Sequence, residues 1–323
     1  MGGDHAPDVV VEGAIKAVKE CVSTEVVLVG DESSVNKLLS KHGYHGKGIS
    51  VSHAPEVVGM SESPVTSFRK KKQSSIALGL NLVKEGKGEA FFSAGNTGAV
   101  VCNATLTLGM LPGIERPGIA VVIPTLKGPA LLIDVGANID PKPQQLLQYG
   151  IMAEIYSRKI LGKNKPSVGL LNVGEEETKG TGFIKETFEL LSQSYLNFVG
   201  NVEGKGIFSG ECDVIITDGF VGNVVLKTSE SLAEAMLIFL KRHLLQNSLG
   251  KFGLLFLKGN LKRFKRDMDY SEYGGAPLLG VNGVVIIGHG RSNAHAIKNA
   301  IRVAREEVER KFNEEITETI AGK

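Results

Sequence analysis

The sequence lacks the features that mark several large classes of protein. It contains no tryptophan, its net charge is only +2, and its three cysteines, Cys21, Cys102 and Cys212, lie far apart. Such spacing forms neither a CxxC pair nor a zinc finger, and predicts reduced, mostly buried thiols in a cytosolic protein. A charge this close to neutral attracts no nucleic acid, and the chain shows no basic arm or RNA-binding aromatic motif. No apolar run reaches the roughly 18 residues of a spanning helix, so the sequence predicts a soluble protein.

Glycine is abundant instead, with 40 among 323 residues. Five times an apolar run ends in small and polar residues and a helical pattern begins at once, at residues 91–98, 131–138, 170–176, 215–223 and 285–293. Strand, glycine loop and helix in this order predict a parallel α/β sheet. Ligands of such sheets bind beyond the carboxyl ends of the strands, where helix N-termini favour anions. We therefore expect all five junctions to meet in one crevice.

The other patterns fit a single large α/β domain over residues 1–323. Apolar runs predict strands at residues 25–29 and 49–53, and a strand pair at 121–124 and 130–134. Helical periodicity predicts one helix that begins near Pro7 and another that the junction at Ser93 opens and that ends at about Met110. It also predicts helices over residues 32–41, 75–85, 143–161, 181–194, 221–245 and 292–312. Residues 56–66 are predicted to be irregular.

Hydroxyl and amide groups crowd the loop at residues 93–98. Ser93, Asn96 and Thr97, with free backbone N–H groups at a helix start, form a suitable cradle for a phosphate or a carbonyl oxygen. Ser93 and Thr97 also suit ordinary helix capping. The loop is not a P-loop, because the GK[ST] ending is absent, and no GxGxxG dinucleotide fingerprint occurs elsewhere.

Charged and amide side chains mark two further junctions. In residues 172–180, Lys179 could neutralise a phosphate or an acyl oxyanion and be held in place by Glu175 or Glu176. A solvated acidic helix start explains this loop equally well. Asp218 could take part in catalysis, or it could only form a turn or cap a helix. Asn223 follows on the same predicted helix, so its amide could face the same crevice.

Two histidines are candidates for proton transfer. His289 lies between two glycines at a strand end and is followed by Arg291 and Ser292. It could act as a general acid or base or donate to a phosphate, and His5 at the chain start has the same options. No carboxylate pair has metal-ligand spacing, so neither a metal nor a cofactor is expected. The absence of a GxSxG elbow argues against a Ser-His-Asp hydrolase.

Two segments are strongly basic. Residues 241–266 contain eight Lys or Arg and no acid, with apolar residues interleaved. Such a segment can lie in the surface of an anionic membrane or pack as a protruding helical hairpin on a partner subunit. Its predicted membrane contacts are Leu254, Leu255, Phe256, Leu257, Lys258 and Leu261. The second segment is either a solvated face or a dock for an acidic partner, and consists of Arg69, Lys70, Lys71 and Lys72.

Five blocks in order along nearly the whole chain resemble one bacterial family, the acyl-ACP:phosphate acyltransferases (PlsX). They are Met1-Gly2-Gly3-Asp4-His5-Ala6-Pro7, Ser93-Ala94-Gly95-Asn96-Thr97-Gly98-Ala99, Asp134-Val135-Gly136-Ala137-Asn138, Asp218-Gly219-Phe220-Val221-Gly222-Asn223 and Tyr273-Gly274-Gly275-Ala276-Pro277-Leu278-Leu279-Gly280. The resemblance implies transfer of a long fatty acyl chain from acyl carrier protein (ACP) to inorganic phosphate. The acyl phosphate then feeds a membrane glycerol-3-phosphate acyltransferase in phospholipid synthesis.

The resemblance also implies an architecture and partners. The fold would be a three-layer α/β/α sandwich with a mostly parallel sheet, like that of isocitrate and isopropylmalate dehydrogenases. The protein would be a cytoplasmic homodimer at the membrane periphery, with residues 241–266 at the membrane and the run from Arg69 to Lys72 facing the acidic carrier.

The proposed chemistry needs no enzyme nucleophile, because phosphate is itself one. The site must hold phosphate against the thioester carbonyl and stabilise the oxyanion. This hypothesis assigns phosphate binding to Ser93, Asn96, Thr97 and Ser292, and catalysis to His5, Lys179, Asp218, Asn223 and His289.

Members of this family usually carry a short apolar strand, ending in Asp, just before the block that starts at Met1. The resemblance therefore implies that one strand of the parallel sheet, and its Asp, are missing from this sequence. A strand that is buried on both faces contributes much apolar burial. We expect its loss to lower stability and activity.

Other functions fit parts of the sequence. A short-chain phosphate acyltransferase would act on acetyl- or butyryl-CoA, although the basic apolar segment argues against it. A non-catalytic, membrane-bound ACP scaffold would bind the carrier without thioester loss. A dehydrogenase of the same fold class would bind NAD.

Overall fold

The computed structural model describes residues 1–21, 23–246, 253, 256–257, 259–261 and 273–322. The helices are α1 (Asp8–Glu20), α2 (Glu32–Lys41), α3 (Pro64–Lys70), α4 (Ser75–Lys84), α5 (Thr97–Leu108), α6 (Pro143–Lys159), α7 (Gly182–Ser192), α8 (Gly219–Leu244), α9 (Ala294–Glu309) and α10 (Phe312–Ala321). The strands are β1 (Val26–Gly30), β2 (Ile49–His53), β3 (Ala90–Ser93), β4 (Gly118–Thr125), β5 (Gly128–Ile133), β6 (Val168–Leu171), β7 (Phe198–Val202), β8 (Val214–Ile216), β9 (Ala276–Leu279) and β10 (Val284–Ile287). The helices and strands with predicted bounds are found, with ends shifted by at most three residues.

The strands form two sheets. β1 and β2 pair in parallel as a small sheet, and the other eight strands follow the order β3-β10-β9-β4-β5-β8-β6-β7. Five of the eight strand pairs are parallel, which confirms a mostly parallel α/β architecture. The predicted hairpin of β4 and β5 is also confirmed, with Thr125 opposite Gly128 at its turn.

The strand directions contradict the prediction of a single crevice. Three successive antiparallel pairs, β10–β9, β9–β4 and β4–β5, lie between the two parallel parts of the large sheet. Each antiparallel pair reverses the direction, so β3 and β10 run opposite to β5, β6, β7 and β8. The five junctions therefore lie at two opposite edges of the sheet. The short strand β9, which no sequence pattern predicted, supplies two of the three reversals.

The core lies on both faces of this sheet, as the alternation along β4 shows. Ile119, Val121 and Ile123 belong to one buried cluster, and Ala120 and Val122 belong to another. The first cluster includes buried residues of α4 and α5, and the second includes those of α6, α7 and α10. Helices thus cover both faces, which gives the three-layer α/β/α arrangement.

The cysteines follow the sequence expectation in part. All three are free, and Cys212 is buried, whereas Cys21 and Cys102 are half-buried. Burial raises the pKa of the Cys102 thiol and raises that of Cys212 to about 11. Both thiols are therefore poor nucleophiles near neutral pH.

One carboxyl group in the core predicts how stability depends on pH. Glu307 on α9 is 3% exposed, and its Oε1 has no hydrogen-bond partner among the described residues. Burial, with a smaller contribution from the charge of Glu306, raises the pKa of Glu307 well above its ordinary value. The folded chain therefore binds a proton that the unfolded chain releases above its own carboxyl pKa of about 4.3.

We expect this group to destabilise the fold as the pH rises. The stability lost is at most about 1.4 kcal/mol per pH unit between the unfolded and folded pKa values. Glu307→Gln should remove this slope. The variant should therefore be more stable than the parent chain at pH 8, and this difference in the free energy of unfolding should disappear near pH 4. Urea unfolding across this pH range measures the effect, with Glu318→Gln on an exposed face of α10 as control. Equal slopes in Glu307→Gln and the parent chain would contradict it.

Candidate functional site

The predicted site residues lie in two groups at opposite edges of the large sheet. The Ser93 cluster consists of residues 2–5, 93–97 and 288–293, beyond the carboxyl ends of β3 and β10. The Asp134 cluster consists of residues 134–138, 172–180 and 217–223, beyond those of β5, β6 and β8. The sequence predicted the members of both groups but not their separation.

Three loops meet in the Ser93 cluster through backbone contacts. The N–H of Gly288 donates to the carbonyl of Ser93 at 2.8 Å, and the N–H of Asp4 donates to the carbonyl of Gly290 at 2.8 Å. A Cβ atom at Gly2 would lie 2.6 Å from the Cα of Gly95, so only glycine permits this approach. The contacts bring the loops that carry His5, Ser93 and His289 together.

Two helices begin at this point, because β3 and β10 are neighbours. α5 starts at Thr97 and α9 at Ala294, and both follow their strands after short loops. Ser93 Oγ accepts from the N–H of Gly95 at 3.1 Å, while Thr97 is exposed. The unpaired N–H groups and the positive ends of two helix dipoles make this region suitable for an anion.

Asn96 has a structural task that the sequence hypothesis did not assign. Its Oδ1 accepts from the N–H of Ala99 at 2.9 Å, which caps α5. Its Nδ2 donates to the carbonyls of Gly59, Met60 and Glu62 at 3.0–3.1 Å. An amide nitrogen has two hydrogens, so this geometry leaves none for phosphate. Asn96 holds the loop in place, and its predicted phosphate contact is not favoured.

His289 is exposed and held by its own loop. The N–H of Arg291 donates to His289 Nδ1 at 3.2 Å. When Nδ1 accepts, a neutral imidazole carries its proton on Nε2 and can donate it from there. His5 is exposed on the adjoining loop. Both histidines are therefore placed where proton transfer to a ligand is possible.

The end of this loop is organised by buried and capping groups. Ser292 is 7% exposed, and its N–H donates to the carbonyl of His289 at 2.8 Å. Asn293 Oδ1 accepts from the N–H groups of His295 and Ala296 and thereby caps α9. Sequence reasoning missed Asn293, although Asn at the start of a predicted helix is the usual signal of a cap.

A buried carboxylate organises the Asp134 cluster. Asp134 is 0% exposed. Its Oδ1 accepts from the N–H groups of Ile119, Gly136 and Ala137 at 2.9–3.0 Å, and its Oδ2 accepts from that of Asn138 at 2.7 Å. Burial raises the pKa of Asp134, and the four donors oppose the rise. This side chain fixes the loop after β5 to the start of β4.

The same loop packs against the start of α8. The N–H of Gly219 donates to the carbonyl of Asn138 at 2.9 Å, and a Cβ at Gly136 would lie 3.1 Å from the Nδ2 of Asn223. Asp218 Oδ1 accepts from the N–H groups of Phe220 and Val221, so it caps α8. The structure therefore brings Asp218 and Asn223 beside the Asp134 loop. Helix capping alone accounts for an aspartate at position 218, and no catalytic role is needed to explain it.

Lys179 is exposed at the rim of this cluster, and the ion pairs differ from those expected. Glu175, a predicted partner of Lys179, instead pairs with Lys205 at 3.0 Å, and Glu203 pairs with the same lysine. The carbonyl of Lys179 accepts from Nδ2 of Asn172 at 3.2 Å. The loop is thus held through its backbone, and the Lys179 ammonium has no ion-pair partner among the described residues.

The basic run at the end of α3 is only partly available to a partner. Lys71 donates to the carboxylate of Glu62 at 2.5 Å and to the carbonyl of Val57. Lys72 lies over the ring of Phe68, 3.7 Å from its centroid, and Arg69 and Lys70 are exposed. Three of the four predicted docking residues are therefore exposed at the surface. The fourth, Lys71, is engaged in an ion pair with Glu62 within the chain.

Three of the six predicted membrane contacts, Leu254, Leu255 and Lys258, lie outside the described residues. Phe256 and Leu257 are exposed, and Leu261 is half-buried. Within the part of the chain that the structure describes, no helix combines the length and apolar character that crossing a membrane requires.

Comparisons with solved structures show where this fold occurs. A phosphotransacetylase from Streptococcus pyogenes superposes with a TM-score of 0.65 and 18% identity, over 94% of this chain and 92% of that one. The EutD phosphotransacetylase from Staphylococcus aureus superposes with a TM-score of 0.63 and 16% identity, over 93% of this chain and 91% of that one. At these identities the likeness concerns the fold alone.

Comparisons with sequences are more specific. The chain is 50% identical over 310 residues to a phosphate acyltransferase of Halothermothrix orenii, which covers 95% of this chain and 93% of that one. It is 48% identical to a phosphate acyltransferase of Heliobacterium modesticaldum, over 100% of this chain and 96% of that one. The model of a family described as fatty acid synthesis protein matches residues 1–315. The chain therefore belongs to the fatty acid synthesis protein family, the PlsX family of bacterial phosphate acyltransferases, and is an enzyme of the acyltransferase class.

Proposed function

We propose that this enzyme transfers a long-chain fatty acyl group from ACP to inorganic phosphate, giving acyl phosphate for phospholipid synthesis. Family membership and the phosphate acyltransferases that share half of its sequence support the reaction type. The observation that carries the site is the Ser93 cluster, where two helix starts meet two loops that bear His5 and His289. This arrangement offers anion binding and proton donation in one place.

The chemistry follows from the groups at this site. The N–H groups that Asn96 and Asn293 leave uncapped at the starts of α5 and α9, with the hydroxyls of Ser93 and Thr97, bind phosphate and the developing oxyanion. A phosphate oxygen attacks the thioester carbonyl carbon, the C–S bond breaks, and the carrier thiolate leaves. His289 or His5 supplies the proton that this thiolate takes up.

Lys179, Asp218 and Asn223 lie at the other edge of the sheet in the same chain. They contribute to this reaction only if a second subunit brings its Asp134 cluster against the Ser93 cluster. The proposed homodimer has a candidate surface in α8, which begins at the Asp134 cluster and exposes Leu232, Met236 and Phe239. The finer likeness to isocitrate and isopropylmalate dehydrogenases is part of the same proposal.

The function is tested by thiol release from palmitoyl-ACP with and without phosphate, with hydroxylamine trapping of acyl phosphate. Phosphate-dependent release with trapped product is the expected result. Release from acetyl-CoA or butyryl-CoA but not from palmitoyl-ACP would point to a short-chain enzyme. Carrier binding without thiol release would overturn the proposed transfer.

The first prediction for this site concerns proton donation. His289→Ala should lower kcat about 100-fold, since general acid catalysis contributes factors of about 10² to 10⁴. His5→Ala tests the second donor, and His45→Ala, at an exposed position of a distant loop, is the control. Unchanged kcat in both His289→Ala and His5→Ala would remove proton donation from this cluster. Lys179→Ala tests the Asp134 cluster in the same assay and should lower phosphate-dependent turnover. Unchanged kinetics would remove Lys179 from the catalytic residues.

We propose further that the acidic carrier docks on Arg69, Lys70 and Lys72. These side chains are exposed on and just after α3, whose neighbour α5 begins in the Ser93 cluster. A carrier bound there can deliver its acyl thioester to that cluster. Lys71 is bound to Glu62, so it stabilises the local structure of this surface and does not contact the carrier.

Reversing two of these charges should weaken the encounter with the carrier. The double variant Arg69→Glu and Lys70→Glu is expected to raise KM for palmitoyl-ACP about tenfold at low salt with little change in kcat, since exposed charges act mainly on association. Lys185→Glu on α7 is the matched control at an exposed lysine. An equal KM for the double variant and the control would show that the carrier docks elsewhere.

The proposed location is the cytoplasmic face of the membrane, where a downstream glycerol-3-phosphate acyltransferase would receive the acyl phosphate. Support comes from the basic composition of residues 241–266 and from the exposed side chains of Phe256 and Leu257. Flotation of the protein with vesicles that contain anionic lipid tests this location. If the amount of protein that floats does not depend on lipid charge, the basic segment does not mediate membrane binding.

A further inference from the structure

Arg116 is a cation at the rim of the Asp134 cluster that the proposed reaction does not use. It lies two residues before β4, whose start is beside the end of β5 because the two strands are antiparallel. The N–H of Ile119, near the start of β4, donates to Asp134 Oδ1 at 2.9 Å. Arg116 is exposed, and within the described part of the chain its side chain forms no ion pair and no hydrogen bond. Its guanidinium is therefore available to a ligand.

Two buried glutamines of α6 fix the residue before Arg116. Gln148 Oε1 accepts from the N–H of Glu115 at 3.0 Å, and Gln145 Nε2 donates to the Glu115 carboxylate at 2.9 Å. Both glutamines are 6% exposed. Burying an amide is costly unless its hydrogen bonds are made, so these contacts hold the chain firmly at Glu115. The backbone that carries Arg116 is thus preorganised.

A buried tyrosine connects the other side of Arg116 to the Asp134 loop. Tyr149 Oη donates to the carbonyl of Pro117 at 3.1 Å and accepts from Nδ2 of Asn138 at 3.4 Å. Burial raises the pKa of Tyr149, and the positive charge of Arg116 opposes the rise. The guanidinium is therefore near the same phenol that contacts Asn138. Arg116 and Asn138 belong to one corner of the cluster.

The Asp134 cluster combines apolar side chains with two cations, Arg116 and Lys179, that have no ion-pair partner among the described residues. Ile139, Val173 and Phe220 are 70%, 83% and 62% exposed in or directly after its three loops. Exposed apolar side chains grouped around a polar site indicate that a ligand or a second subunit covers it. A cation that is covered loses water, so it needs an anion in place of that water.

We propose that Arg116 binds a phosphate group at the Asp134 cluster, either inorganic phosphate or the phosphodiester of the carrier's prosthetic arm. A guanidinium presents its N–H donors in a planar fork that matches two phosphate oxygens at once. Both phosphate groups belong to substrates of the proposed function, on which this assignment rests. In the proposed homodimer, Arg116 adds a charged fork to the neutral N–H and hydroxyl groups of the Ser93 cluster that the second subunit contributes.

The experiment compares Arg116→Ala with the parent chain by calorimetry against inorganic phosphate, holo-ACP and apo-ACP, which lacks the prosthetic arm. Loss of a charge-assisted, bidentate contact should weaken binding of the phosphate-bearing probe about 10- to 100-fold. Arg116→Lys keeps the charge without the fork and should recover only part of this loss. Lys37→Ala, at an exposed position of α2, is the control and should bind like the parent chain.

The three probes distinguish the two sources of phosphate. Weaker binding of inorganic phosphate by Arg116→Ala assigns the site to that substrate. Weaker binding of holo-ACP, with apo-ACP unchanged, assigns it to the prosthetic arm. Unchanged binding of both inorganic phosphate and holo-ACP would overturn the proposal. An equal loss for holo-ACP and apo-ACP alone would also overturn it, because it would reflect only the surface charge that the carrier meets.

Stability and turnover separate this site from the fold and from the proposed transfer. The Tm of Arg116→Ala should match that of the parent chain, because the Arg116 side chain forms no ion pair or hydrogen bond among the described residues. Phosphate binding that depends on Arg116, in a protein without phosphate-dependent thiol release, would support the site and refute the transfer. Parent values of KM for phosphate and for palmitoyl-ACP in Arg116→Ala would refute the site and leave the transfer in place.

Discussion

Replacing Gly222 by alanine is expected to destabilise the fold strongly. A Cβ at this position would lie 1.9 Å from the carbonyl oxygen of Asp134 and 2.9 Å from the Cγ2 of Thr217. The nearest atom belongs to the backbone, so no side-chain rotation relieves the contact. Overpacking a core, with the backbone shifts that it forces, costs about 1–3 kcal/mol and occasionally more. This is a large part of the about 5–15 kcal/mol by which a domain of this kind is stable.

The measurement is urea unfolding together with the soluble yield of Gly222→Ala. The matched control is Gly182→Ala at the first position of α7, where nothing lies within 4 Å of the new Cβ. Alanine favours helix over glycine by at most about 1 kcal/mol, so the control should be unchanged or slightly more stable. A Gly222→Ala protein as stable as this control would show that α8 does not pack against the Asp134 loop as described.

Removing the carboxylate of Asp134 is the second large effect. Asp134→Ala would leave the N–H groups of Ile119, Gly136, Ala137 and Asn138 without their acceptor in a buried site. An unsatisfied buried donor costs about 1–3 kcal/mol. Since the costs of neighbouring groups do not add fully, we expect a loss of about 3–5 kcal/mol.

Asp134→Asn separates shape from charge. The amide keeps one acceptor oxygen for Ile119, Gly136 and Ala137 but sets an N–H₂ group against the N–H of Asn138. We expect this variant to lose about half as much stability as Asp134→Ala, or about 2 kcal/mol. Thermal unfolding of the two variants beside Asp140→Ala, at an exposed position after the loop, provides the comparison. Equal Tm values for all three would mean that the Asp134 carboxylate does not hold the loop.

The site was predicted unevenly from the sequence. The loop at Ser93 and the glycine-flanked His289 lie together where β3 and β10 end, as their local patterns predict, and their roles stay predictions. The tasks of Asn96 and Asp218 were uncertain, because a residue at a helix start has the same sequence signal whether it caps the helix or binds an anion. Only the partners of the side chain, three carbonyls for Asn96 and two N–H groups for Asp218, distinguish the two cases.

The sequence by itself determined the α/β class, the family and most of the helices and strands, but not α3, α10, β7 or β9. Apolar periodicity and glycine loops are local, and five motifs in order are specific enough to identify relatives. The tertiary structure decided which junctions meet. Strand direction depends on pairing between distant segments, and β9 is too short, at Ala276–Leu279, to be read as a strand. With three antiparallel pairs between β10 and β5, the Ser93 and Asp134 clusters face opposite edges of one sheet.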